Sequence, residues 1–248
     1  MRFPSRLVAG LLLLMPLLVP MLVPKVAFGA ASNYPLERVR TDHSNLPSLQ
    51  RGAALYMNYC LGCHSLQHQR HNRTAQDLGI PEDLYRELLL FDDVDIGTHI
   101  TNAMPYQGAR EWFGNAPPDL TMVTRVRGSD WVYTFLKSFY LDESRPFGVN
   151  NALFENVGMP HVLIELQGTP RLNCNGDVCE GTVVEAGSGR MNESDYAEAV
   201  YDLVNFLDYT GEPYKQDRQR IGVYVLLFLL ILFVFTFLLG REYHKEAH

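Results

Sequence analysis

The sequence predicts a mainly α domain with inserted loops and a small β-hairpin, followed by one C-terminal transmembrane helix. Three observations predict it. Apolar residues recur at helical spacing in a segment before residue 60 and again after residue 194. Cys174 and Cys179 bracket an Asn-Gly pair, a hairpin-turn signal. The run Ile221 to Leu239 carries no charge. The 248 residues divide accordingly into 1–30, a secretory signal peptide; 31–214, an extracytoplasmic domain; 215–240, a membrane anchor; and 241–248, a short cytoplasmic tail. There is no internal repeat and no low-complexity segment.

The first part is read from its charge layout. Arg2 and Arg6 precede an uncharged run from Leu7 to Pro24, and small residues follow at Ala27, Gly29, Ala30 and Ala31, as in a secretory signal peptide cleaved near 29–31. A retained helix is disfavoured by Pro16, Pro20 and Pro24, since each removes a backbone donor.

Cleavage removes Arg2, Arg6 and Lys25 but no acid, leaving 18 basic residues against 28 acidic ones. An acidic domain repels nucleic acid, so none is expected as a partner, and it steers basic soluble partners by long-range attraction. At the other end, Ile221 to Leu239 is long enough, at about 1.5 Å per residue, to cross a hydrocarbon core of about 30 Å. Loop charges do not orient it, because Lys215, Arg218 and Arg220 precede the span while Arg241 and Lys245 follow it. The exported N-terminus orients it instead, with the domain outside and the tail inside the cytoplasmic membrane.

The chemistry concentrates in Cys60-Leu61-Gly62-Cys63-His64. Two thiols one helical turn apart match the two vinyl groups of a haem, and a histidine directly after the second thiol reaches the iron under the same ring. One covalent haem c held by Cys60 and Cys63, with His64 on the iron, is therefore expected. A zinc site would have to recruit His68 and His71, and no second cysteine pair of suitable spacing completes it. His43, His68, His71 and His99 are read as ordinary polar loop or surface residues.

The flanking helices suit this cofactor. Ser48 is expected to cap a helix in which Gly52, Tyr56 and Cys60 recur every four residues, with the glycine admitting another helix closely. From Ser194, Val200, Leu203, Val204 and Leu207 form the opposing stripe, which ends before Gly211 and Pro213. Pro81 to Leu90 and Ser129 to Tyr140 read as further helices, with Trp131, Tyr133 and Tyr140 as core aromatics. The acidic group Asp92, Asp93 and Asp95 reads as a solvated loop.

The sixth iron ligand is expected to be a methionine, since thioether ligation raises the reduction potential. Two Met-Pro pairs compete, Met104-Pro105 and Met159-Pro160. Met57, Met122 and Met191 read as packing residues.

The two helices around a haem motif resemble the class I cytochrome c core, which makes the whole a class I cytochrome c-like haem domain. In that fold a proline-bearing loop passes the histidine side of the haem before the methionine loop crosses the other face. Ala116-Pro117-Pro118-Asp119-Leu120 matches the first loop, and only Met159 comes after it. More specifically, the chain resembles the cytochrome c1 family, the haem subunit of the bacterial cytochrome bc1 complex. The likeness is carried by Cys60 to Leu66, Trp112-Phe113-Gly114, Pro117 to Thr121, Arg125 to Arg127, Asn156-Val157-Gly158-Met159-Pro160 and the single C-terminal anchor.

This resemblance implies Met159 as second axial ligand, Pro118 among the cofactor-binding residues and Arg125 pairing with a haem propionate. A guanidinium suits that task because it binds a carboxylate bidentately. It also implies an electron-transfer subunit without catalytic residues of its own. Electrons would pass from the Rieske iron-sulfur protein through a low-spin haem to cytochrome c, beside cytochrome b, in a dimeric quinol-cytochrome c reductase. Its place is the lipid bilayer of the bacterial inner membrane, with the haem domain periplasmic. The alternatives are a tail-anchored cytochrome feeding a terminal oxidase and a haem-based ligand sensor with an open iron position.

Cys174 and Cys179 are too far apart for a second haem motif, and Glu180 stands where histidine is required. In an exported chain they are expected to form a disulfide, with Val162 to Leu166 and Gly181 to Val184 as flanking strands. The resemblance does not fix this pair.

Overall fold

A computed structural model describes residues 34–91, 93–175 and 178–246. The expected signal peptide, its cleavage site, Asp92, Gly176 and Asp177 lie outside the described residues. The domain is assembled around a crossing of its first and last helices, α1 (Leu46–Leu55) and α8 (Glu193–Gly211).

Helix α1 begins earlier than Ser48. Pro47 occupies its first turn, where no backbone donor is needed, and the Asn45 side chain accepts from the Ser48 amide. Ser48 is buried instead, where its hydroxyl accepts from Asn205 of α8 at 3.1 Å. Helix α8 is capped by Asn192, whose side chain accepts from the Asp195 amide. At the crossing a Cβ on Gly52 would stand 2.0 Å from the Asp202 carbonyl oxygen. Only glycine admits this approach. Beside it Tyr56 and Phe206 pack at 5.8 Å, and Arg51 grips Asp202 with bonds of 2.6 and 3.1 Å.

After α1 the chain widens into a π-helical turn, Tyr56–Cys60, in which the Leu61 amide donates to Tyr56 rather than to Met57. Such turns re-aim side chains and recur at functional sites. Strand β1 (Leu66–Arg70) follows, then helices α2 (His71–Asp77) and α3 (Glu82–Leu89), then strand β2 (His99–Ile100), which pairs antiparallel with β1. His71 is not a surface residue: it is buried, with its ring against Tyr85 and Nδ1 3.1 Å from the tyrosine hydroxyl. His68 and His99 are exposed, as are Asp93 and Asp95.

Helices α4 (Tyr106–Phe113), α5 (Val123–Arg127) and α6 (Ser129–Lys137) lead to the hairpin β3 (Phe139–Leu141) and β4 (Val149–Asn151). The expected helix through Tyr140 therefore stops at Lys137, because Phe139, Tyr140 and Leu141 enter a ladder with Asn151, Asn150 and Val149. Helix α7 (Ile164–Gln167) occupies the segment expected as the first strand of the cysteine hairpin. The hairpin is β5 (Pro170–Asn175) with β6 (Val178–Val184), one strand later, where Pro170 can start an edge strand. Met57 is buried and Met191 half-buried against the main core, whereas Met122 is exposed.

Helix α9 (Lys215–Glu246) contains an apolar stretch with no residue buried, as an anchor facing lipid requires. Its start is tied to the domain. Lys215 Nζ lies 2.7 Å from Asp208 Oδ2, Arg218 Nε lies 2.5 Å from Glu212, and Arg73 donates to the Tyr214 hydroxyl at 2.7 Å.

Candidate functional site

Cys60 and Cys63 sit where the π-helical turn ends. The amides of Cys63 and His64 both donate to the Cys60 carbonyl, at 3.0 and 2.8 Å, which folds the motif into one tight turn. Two outside residues, Tyr56 and Asn102, hold it through three bonds. The buried Tyr56 hydroxyl donates to the His64 carbonyl at 2.5 Å, the Asn102 side chain donates to the Cys63 carbonyl, and Ser65 Oγ accepts from the Asn102 amide at 2.9 Å. Burial pushes the Cys60 thiol up to about 12, with the neighbouring Cys63 adding to the shift. The Cys63 thiol is raised by burial as well.

His64 is oriented by the proline loop. Its Nδ1 lies 2.7 Å from the Pro118 carbonyl oxygen, which can only accept, so Nδ1 carries the proton and Nε2 keeps a free lone pair. Burial lowers the His64 pKa and that bond opposes the shift, so the ring is neutral at pH 7 and fit to ligate a metal. The loop is fixed in turn, since Asp119 accepts from the Gln67 amide at 2.7 Å and the Leu120 amide donates to Ser65 at 2.9 Å.

Cys60, Cys63, His64, Pro118 and Met159 line one cavity of about 390 Å³, within the usual size range of cofactor sites. Its walls are mostly apolar, with Leu203 and Leu207 from α8 and Trp131 and Phe135 from α6. Trp131 and Phe135 stack at 5.0 Å, and Phe154 meets both edge-on. Tyr133 and Tyr140 are not among the lining residues. Neither is Met104. Met159 reaches the cavity on a loop that passes close to α4: a Cβ on Gly158 would stand 2.9 Å from the Phe113 carbonyl oxygen.

This donor set suits a haem. Two thiols, a neutral imidazole with a free nitrogen and a thioether share an apolar chamber, and the imidazole already has its outer partner. Among the described residues no group of three or more His, Cys, Asp or Glu side chains is placed to hold a bare metal ion, so the zinc reading has no ligand cluster there.

The structure does not bring Arg125 to this cavity. Its guanidinium pairs with Glu212, on the side of α5 facing the anchor. Arg127 is the arginine that lines the chamber, with its guanidinium 5.0 Å from the Trp131 ring. Two residues apart on a helix point to nearly opposite sides, so the Arg-Val-Arg run offers only one arginine to the cavity.

The expected disulfide residues lie apart from the chamber. Cys174 stands opposite Cys179 in the β5–β6 ladder, and Cys174 is disulfide-bonded.

Sequence reasoning missed Asn102, Tyr56 as a hydrogen-bond donor, and Phe154. For Tyr56 the signal was present, as a tyrosine on the buried stripe must find a partner for its hydroxyl. Asn102 and Phe154 carry no such signal, because loops bring them in.

Comparison with known proteins gives the same direction. The model of the cytochrome C1 family matches residues 99–247, a stretch that includes Met159 and the anchor. Cytochrome c1 of Allochromatium vinosum is 52% identical over 219 residues, covering 86% of this chain and 90% of that protein. The ammonia monooxygenase gamma subunit of Nitrosomonas europaea is 40% identical over 223 residues, covering 90% and 93%. Cytochrome c1 of Rhodospirillum rubrum is 24% identical over 220 residues, covering 75% and 76%. With such a match over more than half its length, and a close relative aligned nearly end to end, the chain belongs to the cytochrome c1 family.

Proposed function

We propose that this chain carries one covalent haem c on thioether bonds from Cys60 and Cys63, with His64 and Met159 as axial ligands. In this reading it passes electrons from a Rieske iron-sulfur protein to a cytochrome c within a dimeric bc1 complex that also contains cytochrome b. The observation that carries the proposal is the His64–Pro118 bond, which frees the ligating nitrogen in the chamber that both thiols and Met159 share.

The cofactor supplies a one-electron couple. The protein orients its ligands and surrounds it with apolar walls, while Arg127, not Arg125, neutralises a propionate at the rim. Residues 31–214 lie on the periplasmic side of the bacterial inner membrane and 241–248 on the cytoplasmic side, with α9 as a single-pass anchor. A domain so acidic attracts a basic electron acceptor.

Two measurements test the proposal. The mature polypeptide, denatured and washed with acidic acetone, is expected to keep one coloured group, and a colourless chain refutes covalent attachment. Purified in mild detergent, the chain is expected to bring cytochrome b and a Rieske protein that reduce it with quinol. Recovery with terminal-oxidase or monooxygenase subunits instead overturns the bc1 assignment. Rapid carbon monoxide binding by the reduced native protein points to the sensor reading.

A further inference from the structure

Met159 has three rotatable bonds and stands on a loop without regular structure, so the side chain cannot fix its own sulfur. Its neighbours do. On one side Val157 is buried in a small cluster with Phe139 and Val149, against which Met159 itself packs. On the other side His161 is 5% exposed, and its ring lies parallel to that of Phe139, 4.8 Å away with an interplanar angle of 4°. Both flanks of the methionine are thus pinned to one phenylalanine. Phe139 is set in turn edge-on to Phe135 of the cavity wall, at 5.2 Å.

An imidazole in an apolar cluster is costly unless its nitrogens are bonded. His161 Nε2 lies 2.7 Å from Gln167 Oε1, with the imidazole N–H donating, and the Gln167 amide nitrogen reaches the Lys137 carbonyl at 3.5 Å. The Gln167 backbone amide donates to Leu163 at 2.9 Å, which fixes the acceptor in α7. A leucine at 161 would fill the space without either restraint. The stack sets the distance of the loop from the wall and the bond sets its rotation.

We propose that His161 is the positioning residue for the Met159 sulfur: stacked on Phe139 and tethered to Gln167, it holds the 157–160 loop where the thioether meets the cavity. The inference rests on the reading of Met159 as an axial ligand. It assigns His161 no contact with the cofactor and no change of charge.

The test uses the full-length, haem-loaded chain in detergent, with variants His161→Leu, His161→Phe and Met159→Leu, and Leu166→Ala as a core control. The readouts are the reduction potential, the long-wavelength absorption band of ferric iron with a thioether ligand, and the rate of carbon monoxide binding to the reduced form. His161→Leu is expected to lower the potential, weaken the band and speed carbon monoxide binding about tenfold. His161→Phe, which keeps the stack and loses the tether, is expected to shift all three in the same direction by less. Leu166→Ala should lower the unfolding temperature and leave all three unchanged. Wild-type readouts in both His161 variants overturn the proposal, as do shifts of the same size in Leu166→Ala. If Met159→Leu itself leaves band and potential unchanged, the ligation reading falls and this inference with it, an outcome distinct from inert His161 variants beside a responsive Met159→Leu.

Discussion

Asp208, near the end of α8, accepts a hydrogen bond from Lys215, in the first turn of the membrane helix, at 2.7 Å. The same carboxylate accepts from Thr41 and Ser129 and lies 2.9 Å from His43 Nε2, so it joins the N-terminal segment, α6, α8 and the anchor. Burial alone would raise its pKa, but the bonds from His43, Lys215 and Thr41 outweigh that and hold it well below the usual carboxylate range. An unfolded aspartate titrates near about 3.9, so this stabilisation is complete above that pH and is lost as pH falls through the lower folded value. Denaturant unfolding of Asp208→Ala should show a loss of roughly 3 kcal/mol at neutral pH, since the buried carboxylate that Lys215, Thr41 and Ser129 all donate to is removed. Below about pH 3 the difference from wild type should shrink. A difference that stays constant down to pH 2 argues against the linkage.

Tyr56→Phe deletes the hydroxyl that the His64 carbonyl accepts from, and leaves that carbonyl buried without its partner. The cost should be about 1 to 2 kcal/mol in urea unfolding, with haem retained. Full stability in the variant indicates that the bond is replaced.

Gly52→Ala drives a methyl into the Asp202 carbonyl and the Phe206 side chain, atoms that cannot retreat without parting the two helices. Overpacking at such a contact costs about 3 kcal/mol. Because α8 also supplies Leu203 and Leu207 to the chamber, the yield of haem-loaded protein should fall along with stability. A haem content equal to that of wild type uncouples the crossing from the site.

How much of this was legible in the sequence follows from what each signal encodes. The α1–α8 crossing was, because Gly52 in α1 and Tyr56 and Cys60 in the turn that continues it, with Val200, Leu203 and Leu207 on α8, encode burial by spacing alone. The π-helical turn was not: it is a local widening that leaves the four-residue recurrence of Tyr56 and Cys60 intact. Pro170 and Pro47 moved element boundaries by fixing the backbone where hydrophobic periodicity had suggested other starts. The Cys60–His64 pattern is contiguous, so the tight turn that brings both thiols and the imidazole to one cavity reads directly. Arg125 and Arg127 differ only in which side of a five-residue helix they occupy, and tertiary packing of α5 against α8 and α6 decides that. His71 and His43 look polar in sequence and are drawn inward by Tyr85 and Asp208.

Cys174→Ala opens the bridge that ties the β5–β6 ladder near its turn. A loop this short confines the unfolded chain by about 2 kcal/mol at most, so stability should fall by no more than that. Among the described residues none of the hairpin lines the chamber, so potential and haem content should stay at wild-type values, and a changed potential would tie the hairpin to the site.

The two arginines of α5 make opposite predictions. Arg125 is exposed and holds Glu212, an ion pair worth under about 1 kcal/mol, and it does not line the cavity. Arg125→Gln should therefore leave the potential unchanged. Arg127 stands at the chamber with its guanidinium over Trp131, the position from which it would bind a propionate bidentately. Removing that charge leaves the propionate negative beside the iron, which favours the oxidised state. Arg127→Gln should lower the potential on the order of 60 mV, the one-electron equivalent of about 1.4 kcal/mol. Redox titration of both variants decides the matter, because a lowered potential in Arg125→Gln with none in Arg127→Gln restores Arg125 as the propionate partner and requires α5 to turn when the cofactor binds.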